Sequence, residues 1–237
     1  MVVNKKIDVL DHGYVVLVDS MGSDLTTVNA ARASFAKRST TFTKKDANLI
    51  KFLGEHDHTS PFRHSVVQFE VKAPLMAANQ WFRYVIGAAS GDPFFAWNEQ
   101  SRRYTTSDVE FYIPTQWRSA PENKKQGSGG AIENLDVVEW ANSAYKDTLA
   151  EGLQNYNYAL ADGIAVEQAR LFLPAYALYT TWYWTASLQG VAHFLNQRLK
   201  PDAQKEIRDY AEAVHQLVQP LFPNSLAALC SAEPSSS

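Results

Sequence analysis

The sequence predicts a mixed α/β (α+β) fold, because strand-forming and helix-forming stretches follow one another along the chain. Val9 to Asp19 (VLDHGYVVLVD) predicts a strand or a pair of strands with a turn at His12-Gly13. Ile132 to Leu160 instead has its apolar residues along one stripe, which is typical of a long amphipathic helix. The chain has 237 residues, of which 46% are hydrophobic, so it can bury a full core.

The first half of the chain predicts two helices, a strand and a third helix. Met21 to Phe35 is expected to be helical, with an N-terminal cap at Ser23 or Asp24. In the second helix, Thr43 to Gly54, the first residue is the cap and the glycine ends the helix. Ser65 to Lys72 predicts a strand. Pro74 then occupies the first position of a helix that ends near Val85, where its missing N–H is tolerated.

The second half of the chain predicts mostly helices. The expected segments are a short strand that ends Tyr104 to Pro114, a flexible loop at Pro121 to Gly130, a short helix at Ala165 to Leu173, a central apolar helix at Leu178 to Leu199, and a helix from Pro201 to about Val218. We expect one domain over residues 1–231 and a disordered tail at residues 232–237.

Composition and charge exclude several classes of protein. The net charge is −3, so we expect no nucleic-acid partner, and any site for an anion must be local. Cys230 is the only cysteine and precedes a polar tail, so neither an internal disulfide nor a catalytic thiolate is expected. No apolar run is long enough for a signal peptide or a membrane span, which predicts a cytoplasmic protein without a membrane partner.

The stretch richest in ligand-binding groups is Gln80 to Tyr104 (QWFRYVIGAASGDPFFAWNEQSRRY). It begins as a helix in which Gln80 and Arg83 share one face, and it ends in a polar cluster, NEQSRR. Arginine can donate two parallel N–H bonds to a phosphate. The sequence has no P-loop, no dinucleotide-binding glycine motif and no nucleophile elbow. We therefore expect a phosphate-bearing planar ligand here, with the difficult chemistry supplied by a cofactor.

Other polar residues leave alternatives open. The histidines of HDHTSPFRH at 56–64 could bind a metal, order a loop or touch a ligand, but no matching ligand spacing follows, and we predict no metal site. Arg170 is either a buried structural arginine or a ligand-binding residue. Four polar residues of the central apolar stretch need partners that an internal ligand would supply. These are Ser187, Gln189, His193 and Arg198.

Several segments together resemble the flavin-dependent thymidylate synthases (ThyX). They are VLDHGYVVLVDSMGSDLTTVNAARASF, HDHTSPFRHSVVQFEVKAP, QWFR, NEQSRRY, EFYIP, EQARLFLP, LYTTWYWT and HFLNQR. The family signature is Arg-His-Arg, seven residues and then Ser-x-Arg. Arg83 matches its first arginine, and Ser101-Arg102-Arg103 matches its second half. The chain is therefore similar to this family over nearly its whole length.

The resemblance implies a central, mostly antiparallel sheet with flanking long helices, in a homotetramer whose active sites lie between subunits. It also implies reductive methylation of dUMP at C5, with FAD as cofactor and NADPH and 5,10-methylenetetrahydrofolate as co-substrates. Arg198 is the implied catalytic residue, since it would stabilise negative charge on the pyrimidine ring. The implied nucleotide-binding residues are Gln80, Arg83, Glu99, Gln100, Ser101, Arg102, Arg103, Arg170 and Arg198. The implied flavin-binding residues are His58, Ser60, Arg83, Tyr84, Val85, Glu99, Ser187, Leu188, Gln189 and His193.

The chain departs from the family pattern in two places. The Arg-His-Arg triplet is Arg83-Tyr84-Val85 here, and 15 residues, 86–100, separate it from Ser101 instead of seven. The usual Asn-x-Arg of the central stretch is Ser187-Leu188-Gln189, which lacks the arginine's charge.

Three outcomes are compatible with these departures. The chain is a thymidylate synthase with an altered flavin loop, an enzyme that adds a methyl or another one-carbon group to C5 of UMP or another uridylate, or a nucleotide-binding protein without catalysis. The retained Arg103, Arg170 and Arg198 argue against the third, because a site without a task has no physical need for several partly buried charges.

Overall fold

The structure, a computed structural model, describes residues 4–87, 95–101, 109–121 and 127–231. Its strands are β1 (Lys5–Val9), β2 (Gly13–Met21), β3 (Val66–Pro74), β4 (Phe95–Glu99) and β5 (Tyr179–Ser187). Its α-helices are α1 (Asp24–Arg32), α2 (Lys44–Glu55), α3 (Leu75–Gly87), α4 (Leu135–Ala161), α5 (Val166–Ala169), α6 (Leu188–Arg198), α7 (Lys205–Val218) and α8 (Pro223–Leu229). Short 3₁₀ helices occupy Ala33–Phe35, Ser60–His64 and Arg170–Phe172.

The five strands form one antiparallel sheet in the order β1-β2-β3-β5-β4. The two central strands, β3 and β5, pair along their whole length, from Val66 opposite Ser187 to Pro74 opposite Tyr179. β4 is an edge strand whose Glu99 lies opposite Trp182. The mixed fold class and the antiparallel sheet that the resemblance implied are therefore confirmed.

One face of the sheet carries the main core. Side chains alternate along β3 and β5, so that Phe69, Trp182 and Trp184 are buried on the same face. Helices α3 and α6 pack on this face through Trp81 and Phe194, whose rings stack with centroids 4.4 Å apart. Trp81 also meets Trp182 and Trp184 edge-to-face at 5.3 Å each. This aromatic cluster fixes α3 against α6. The candidate site depends on this packing of the two helices.

The capping residues were predicted correctly. Ser23 is the N-cap of α1 and Thr43 is the N-cap of α2. At α2, an Asp46 carboxylate oxygen accepts the backbone N–H of Thr43 at 2.8 Å, and Arg32 forms an ion pair with the same carboxylate at 2.6 Å. The hydrogen bond from the Thr43 hydroxyl, followed by the charge of Arg32, holds the pKa of Asp46 below its usual value.

The prediction of one central helix at Leu178 to Leu199 was wrong. Its first half is strand β5, and only Leu188–Arg198 is helical. Residues alternate between buried and more exposed along the strand, from Trp182 and Tyr183 onward. Ser187 ends this alternation and caps α6, because its Oγ accepts the backbone N–H of Gly190 at 3.1 Å.

Other differences concern element boundaries. Met21 belongs to β2 rather than to α1, and Pro74 is the last residue of β3 instead of the first of α3. The last long helix begins at Lys205, after a turn at Pro201. Where a short strand was expected before Pro114, the described part holds a single bridge from Phe111 to Leu178. The short elements β4 and α8 were not predicted.

Some predictions fall on residues outside the described ranges. These are most of the loop at Gly87 to Pro93, Arg102 and Arg103, the centre of the loop at Pro121 to Gly130, and the tail at 232–237. Within the ranges that are described, no helix is both long enough and apolar enough to cross a membrane.

Candidate active site

A polar cleft lies beside the C-terminal end of α6, and we call it the Arg198 cleft. Its volume is about 870 Å³. Helix α3 contributes three of its residues, and the loop before α7 closes its other side. The lining residues are Gln80, Arg83, Tyr84, Ala120, Pro121, Gly127, Arg198, Asp202, Ala203 and Gln204.

The local sequence explains how these side chains reach the cleft. On α3, Trp81 and Val85 are buried in the core, which turns Gln80, Arg83 and Tyr84 towards the rim. Arg198 is the last residue of α6, where backbone carbonyl groups favour a cation. Gln80 and Arg83, which were predicted to share one face of a helix, therefore lie in the same cleft as Arg198. Arg198 follows them by more than a hundred positions in the sequence.

Arg198 is held by groups that leave its charge uncompensated. Its Nη2 donates to the backbone carbonyl oxygen of Gln80 at 2.5 Å, and its guanidinium carbon lies 4.3 Å from the centre of the Tyr84 ring. Its Nε is buried and finds no hydrogen-bond partner among the described residues. Burial, followed by the neighbouring charge of Arg83, lowers the pKa of Arg198. A guanidinium stays protonated at neutral pH, so the cleft has a permanent cation that can bind an anion.

A second, smaller cleft, which we call the Arg170 cleft, lies beside β4 and β5. Its volume is about 280 Å³. The 3₁₀ helix after α5 supplies Arg170. The end of β4 supplies Glu99, and Gln100 follows it directly. The lining residues are Leu75, Glu99, Gln100, Glu167, Arg170, Leu171, Leu173, Ala175, Leu178, Tyr179 and Thr180.

The sheet positions the polar residues of the Arg170 cleft. Glu99 Oε1 accepts the hydroxyl of Thr180 at 2.8 Å, and the backbone N–H of Gln100 donates to Thr181 at 2.8 Å. Half-buried Arg170 has a buried Nε with no hydrogen-bond partner in the described part of the chain. An unpaired buried donor is costly, which favours the ligand-binding alternative for Arg170 over a purely structural one.

Residues implied for the flavin surround α6. The backbone N–H of Leu188 donates to Ser65 at 2.8 Å, so the segment that contains His58 and Ser60 packs near the start of this helix. Both of these side chains are exposed. Gln189 Oε1 is buried and has no partner among the described residues, so it can accept an N–H from a bound group.

His193 lies about one turn before the end of α6. It is one of the residues implied for the flavin, and it is also a neighbour of Tyr84 in the Arg198 cleft. Its ring centre is 6.0 Å from that of Tyr84. Burial, followed by the charge of Lys200, lowers the pKa of His193, so the imidazole is neutral at neutral pH. A neutral ring adds no repulsion to the nearby Arg198.

The structure therefore places the predicted nucleotide-binding residues in two separate groups. Gln80, Arg83 and Arg198 share one cleft, while Glu99, Gln100 and Arg170 share another, and the two linings have no residue in common. Half-buried Ser101 follows directly after the second group. Three residues of the predicted flavin set, Val85, Ser187 and Leu188, are buried in the fold.

Sequence reasoning missed residues that only the fold brings to these clefts. Gln204 contacts the side chain of Gln80 through its Oε1, and Thr180 holds Glu99. Neither lies near its partner in the sequence. Gln204 is the N-cap of helix α7. Its position at the start of a helix was the one feature of the sequence that could have drawn attention to it.

A third cavity, of about 490 Å³, is mainly apolar and contains none of the predicted site residues. Tyr112, Trp117 and Tyr145 are among its walls. Its arginine, Arg118, forms an ion pair at 2.6 Å with buried Glu206. This ion pair neutralises the charge of Arg118.

The α+β scaffold thus carries two clefts, each with an arginine whose buried Nε has no hydrogen-bond partner in the described part of the chain, and such groups suit an anionic ligand. The family model described as thymidylate synthase complementing protein matches residues 16–224. A flavin-dependent thymidylate synthase of Thermus thermophilus is 42% identical over 94% of this chain and 77% of its own length. One of Thermosipho melanesiensis is 38% identical over 91% and 89%. The chain belongs to the flavin-dependent thymidylate synthase family.

Solved structures give the same result. The crystal structure of a UMP/dUMP methylase, PolB from Streptomyces cacaoi bound with 5-Br dUMP, is similar with a TM-score of 0.78 and 28% identity. The similarity covers 94% of this chain and 96% of that one. A second structure of that protein, bound with 5-Br UMP, has the same TM-score over 96% and 99% of the two chains.

Proposed function

We propose that this protein methylates dUMP at C5 in a flavin-dependent, reductive reaction. Methylenetetrahydrofolate would supply the carbon and NADPH the electrons. The observation that carries the proposal is Arg198, a half-buried cation held by a carbonyl oxygen and an aromatic ring, whose Nε finds no partner in the ranges that the structure describes. Such a group stabilises negative charge on a pyrimidine ring without first having to break an ion pair.

The nucleotide would bind between subunits of a homotetramer. One chain presents Arg198 and Arg83 in one cleft and Arg170 with Glu99 in another. A dUMP molecule contacting all four needs the two clefts to be brought together, and association of identical chains can place the Arg170 cleft of one beside the Arg198 cleft of the next. Arg83 and Arg170 would then bind the phosphate, and Glu99 would orient a polar group of the ligand.

The described residues fit a flavin along α6. Gln189 offers a buried acceptor atom that has no partner among the described residues, His193 lies in α6 itself, and the segment with His58 and Ser60 precedes Ser65, which accepts the N–H of Leu188 at the start of α6. FAD, when bound, would supply the redox chemistry that no side chain here can provide. The protein's own part is to hold the nucleotide, fix its orientation and stabilise charge through Arg198.

UMP is a second candidate substrate, and a specific observation favours it. The similar structure of 28% identity is that of a UMP/dUMP methylase, and it has been solved with 5-Br UMP as well as 5-Br dUMP. The 15 residues between Val85 and Ser101 also exceed the seven of the family signature. A change in this connection alters the neighbourhood in which the sugar and phosphate would bind.

The test is the mass of the product. The protein is incubated with FAD, NADPH, methylenetetrahydrofolate and an equal mixture of dUMP and UMP. A gain of one methyl group on dUMP supports the first candidate, and a methyl on UMP supports the second. A heavier adduct would indicate transfer of a different one-carbon group, and bound nucleotide without any product would contradict the proposal.

A further inference from the structure

We infer that Tyr84 is a positioning residue, whose ring holds the guanidinium of Arg198 in place for the nucleotide. The inference rests on the proposed function, because it concerns how this chain keeps its uridylate-binding arginine ordered. It adds to Tyr84 a role that is distinct from contact with flavin.

Two contacts from one helix hold the guanidinium. The ring of Tyr84 covers its carbon at 4.3 Å, and the carbonyl oxygen of Gln80 accepts its Nη2 at 2.5 Å. Both residues belong to α3, whose position against α6 is fixed by the stacked rings of Trp81 and Phe194. Arg198 is thus held by a ring face and a backbone oxygen that both belong to α3.

An aromatic ring suits this task better than a carboxylate. A carboxylate would neutralise the cation and would compete with the phosphate or pyrimidine oxygen for its N–H groups. A ring face attracts a guanidinium through its quadrupole and leaves the net positive charge intact. Arg198 can therefore be ordered and still bind an anionic ligand.

A second neighbour of the Tyr84 ring is compatible with the arrangement. His193 lies 6.0 Å from the tyrosine ring, centre to centre. Burial lowers its pKa, so at neutral pH it brings no second positive charge to the Tyr84 ring. Arg83, the next cation on α3, is exposed and is free to bind another part of the ligand.

The experiment is a double-mutant cycle on nucleotide binding. Dissociation constants for dUMP, and for UMP in parallel, are measured by calorimetry with FAD-loaded protein. Four proteins form the cycle: wild type, Tyr84→Leu, Arg198→Ala and the double variant. Tyr84→Phe keeps the ring face. Tyr158→Leu makes the same change at an exposed tyrosine of α4 as a matched control. Tyr84→Met is the second variant if the leucine protein does not fold.

We expect Tyr84→Leu to weaken nucleotide binding about two- to thirty-fold, the range that a cation–π contact supports. The loss should fall below about two-fold in the Arg198→Ala background, since a positioning residue has nothing left to position. Tyr84→Phe and Tyr158→Leu should bind as wild type does. An equal loss with and without Arg198 would overturn the inference and leave the proposed function intact. A wild-type protein that binds neither nucleotide would instead overturn the proposed function, and this inference with it.

Discussion

The two clefts differ in how their arginines are held. Arg198 lies in a polar cleft of about 870 Å³ and is fixed by a ring and a carbonyl oxygen. Arg170 lies in a cleft of about 280 Å³ among leucine side chains, on a single 3₁₀ turn. Arg198 is therefore held in a defined orientation, whereas Arg170 belongs to a short connecting segment. The first suits a role in catalysis, where orientation matters most, and the second suits the capture of a phosphate.

The division of the arginines between two clefts is the reason for proposing a site shared between subunits. Within the described part of the chain, Arg198 and Arg170 each have a buried Nε without a hydrogen-bond partner. Each would therefore gain from the same anionic ligand, yet their linings share no residue. Association of subunits is the simplest way for one nucleotide to contact both.

The largest expected effect is that of Arg198→Ala. We expect kcat to fall about a hundred-fold or more, which is the typical cost of removing one group that stabilises charge in the transition state. The dissociation constant for FAD should change far less, because several residues implied for the flavin, among them Gln189 and His193, lie in the preceding turns of α6. Turnover and flavin titration are measured on the same preparation. Equal losses in turnover and in flavin affinity would refute the role assigned to Arg198.

A smaller effect is expected for Arg170→Ala. Loss of a charged hydrogen-bonding partner of the phosphate should raise KM for the nucleotide about ten- to a hundred-fold, with a modest change in kcat. Arg170→Lys keeps the charge but loses the fork, so it should give an intermediate KM. Steady-state measurements of KM and kcat for wild type, Arg170→Ala and Arg170→Lys test this prediction. If the main effect of Arg170→Ala is a lower midpoint of thermal unfolding, Arg170 is structural and the comparison of the two clefts fails.

The sequence predicted the residues of the two clefts more fully than their arrangement. The Gln80–Arg83 pair and the polar cluster at Glu99–Ser101 were identified from residue type and spacing, whereas Arg170 was assigned to the site only through the resemblance to the family. Their division between two clefts depends on where β4 and β5 pair, which is a contact across more than eighty residues. Local patterns carry no information about such pairing.

The error at Leu178 to Leu199 has a physical reason. Strand β5 is central, and aromatic residues occupy both of its faces, as in Trp182, Tyr183 and Trp184. A strand with few polar residues looks like a buried helix unless the enrichment in threonine and aromatic residues is weighed. Ser187, which caps α6, marked the change from strand to helix and was interpreted instead as a ligand-binding residue alone.

The smallest expected effect concerns pH. Because the pKa of His193 is lowered in the fold, the unfolded chain takes up a proton first as the pH falls below about 6.5. The free energy of unfolding should therefore decrease on acidification through this range and level off below the lowered pKa. His193→Gln should remove this part of the pH dependence. Denaturant unfolding of both proteins between pH 5 and 8 measures it, and identical slopes would show that the environment of His193 does not disfavour its charge.

The most direct test of the account is complementation between subunits. Arg198→Ala and Arg170→Ala chains with different tags are produced together, and the mixed oligomers are purified and assayed at a nucleotide concentration below KM. If each site takes Arg198 from one chain and Arg170 from another, about a quarter of the sites in a random mixture are intact. We therefore expect turnover near a quarter of wild type, well above either variant alone. Turnover equal to the mean of the two variants would contradict a site shared between subunits.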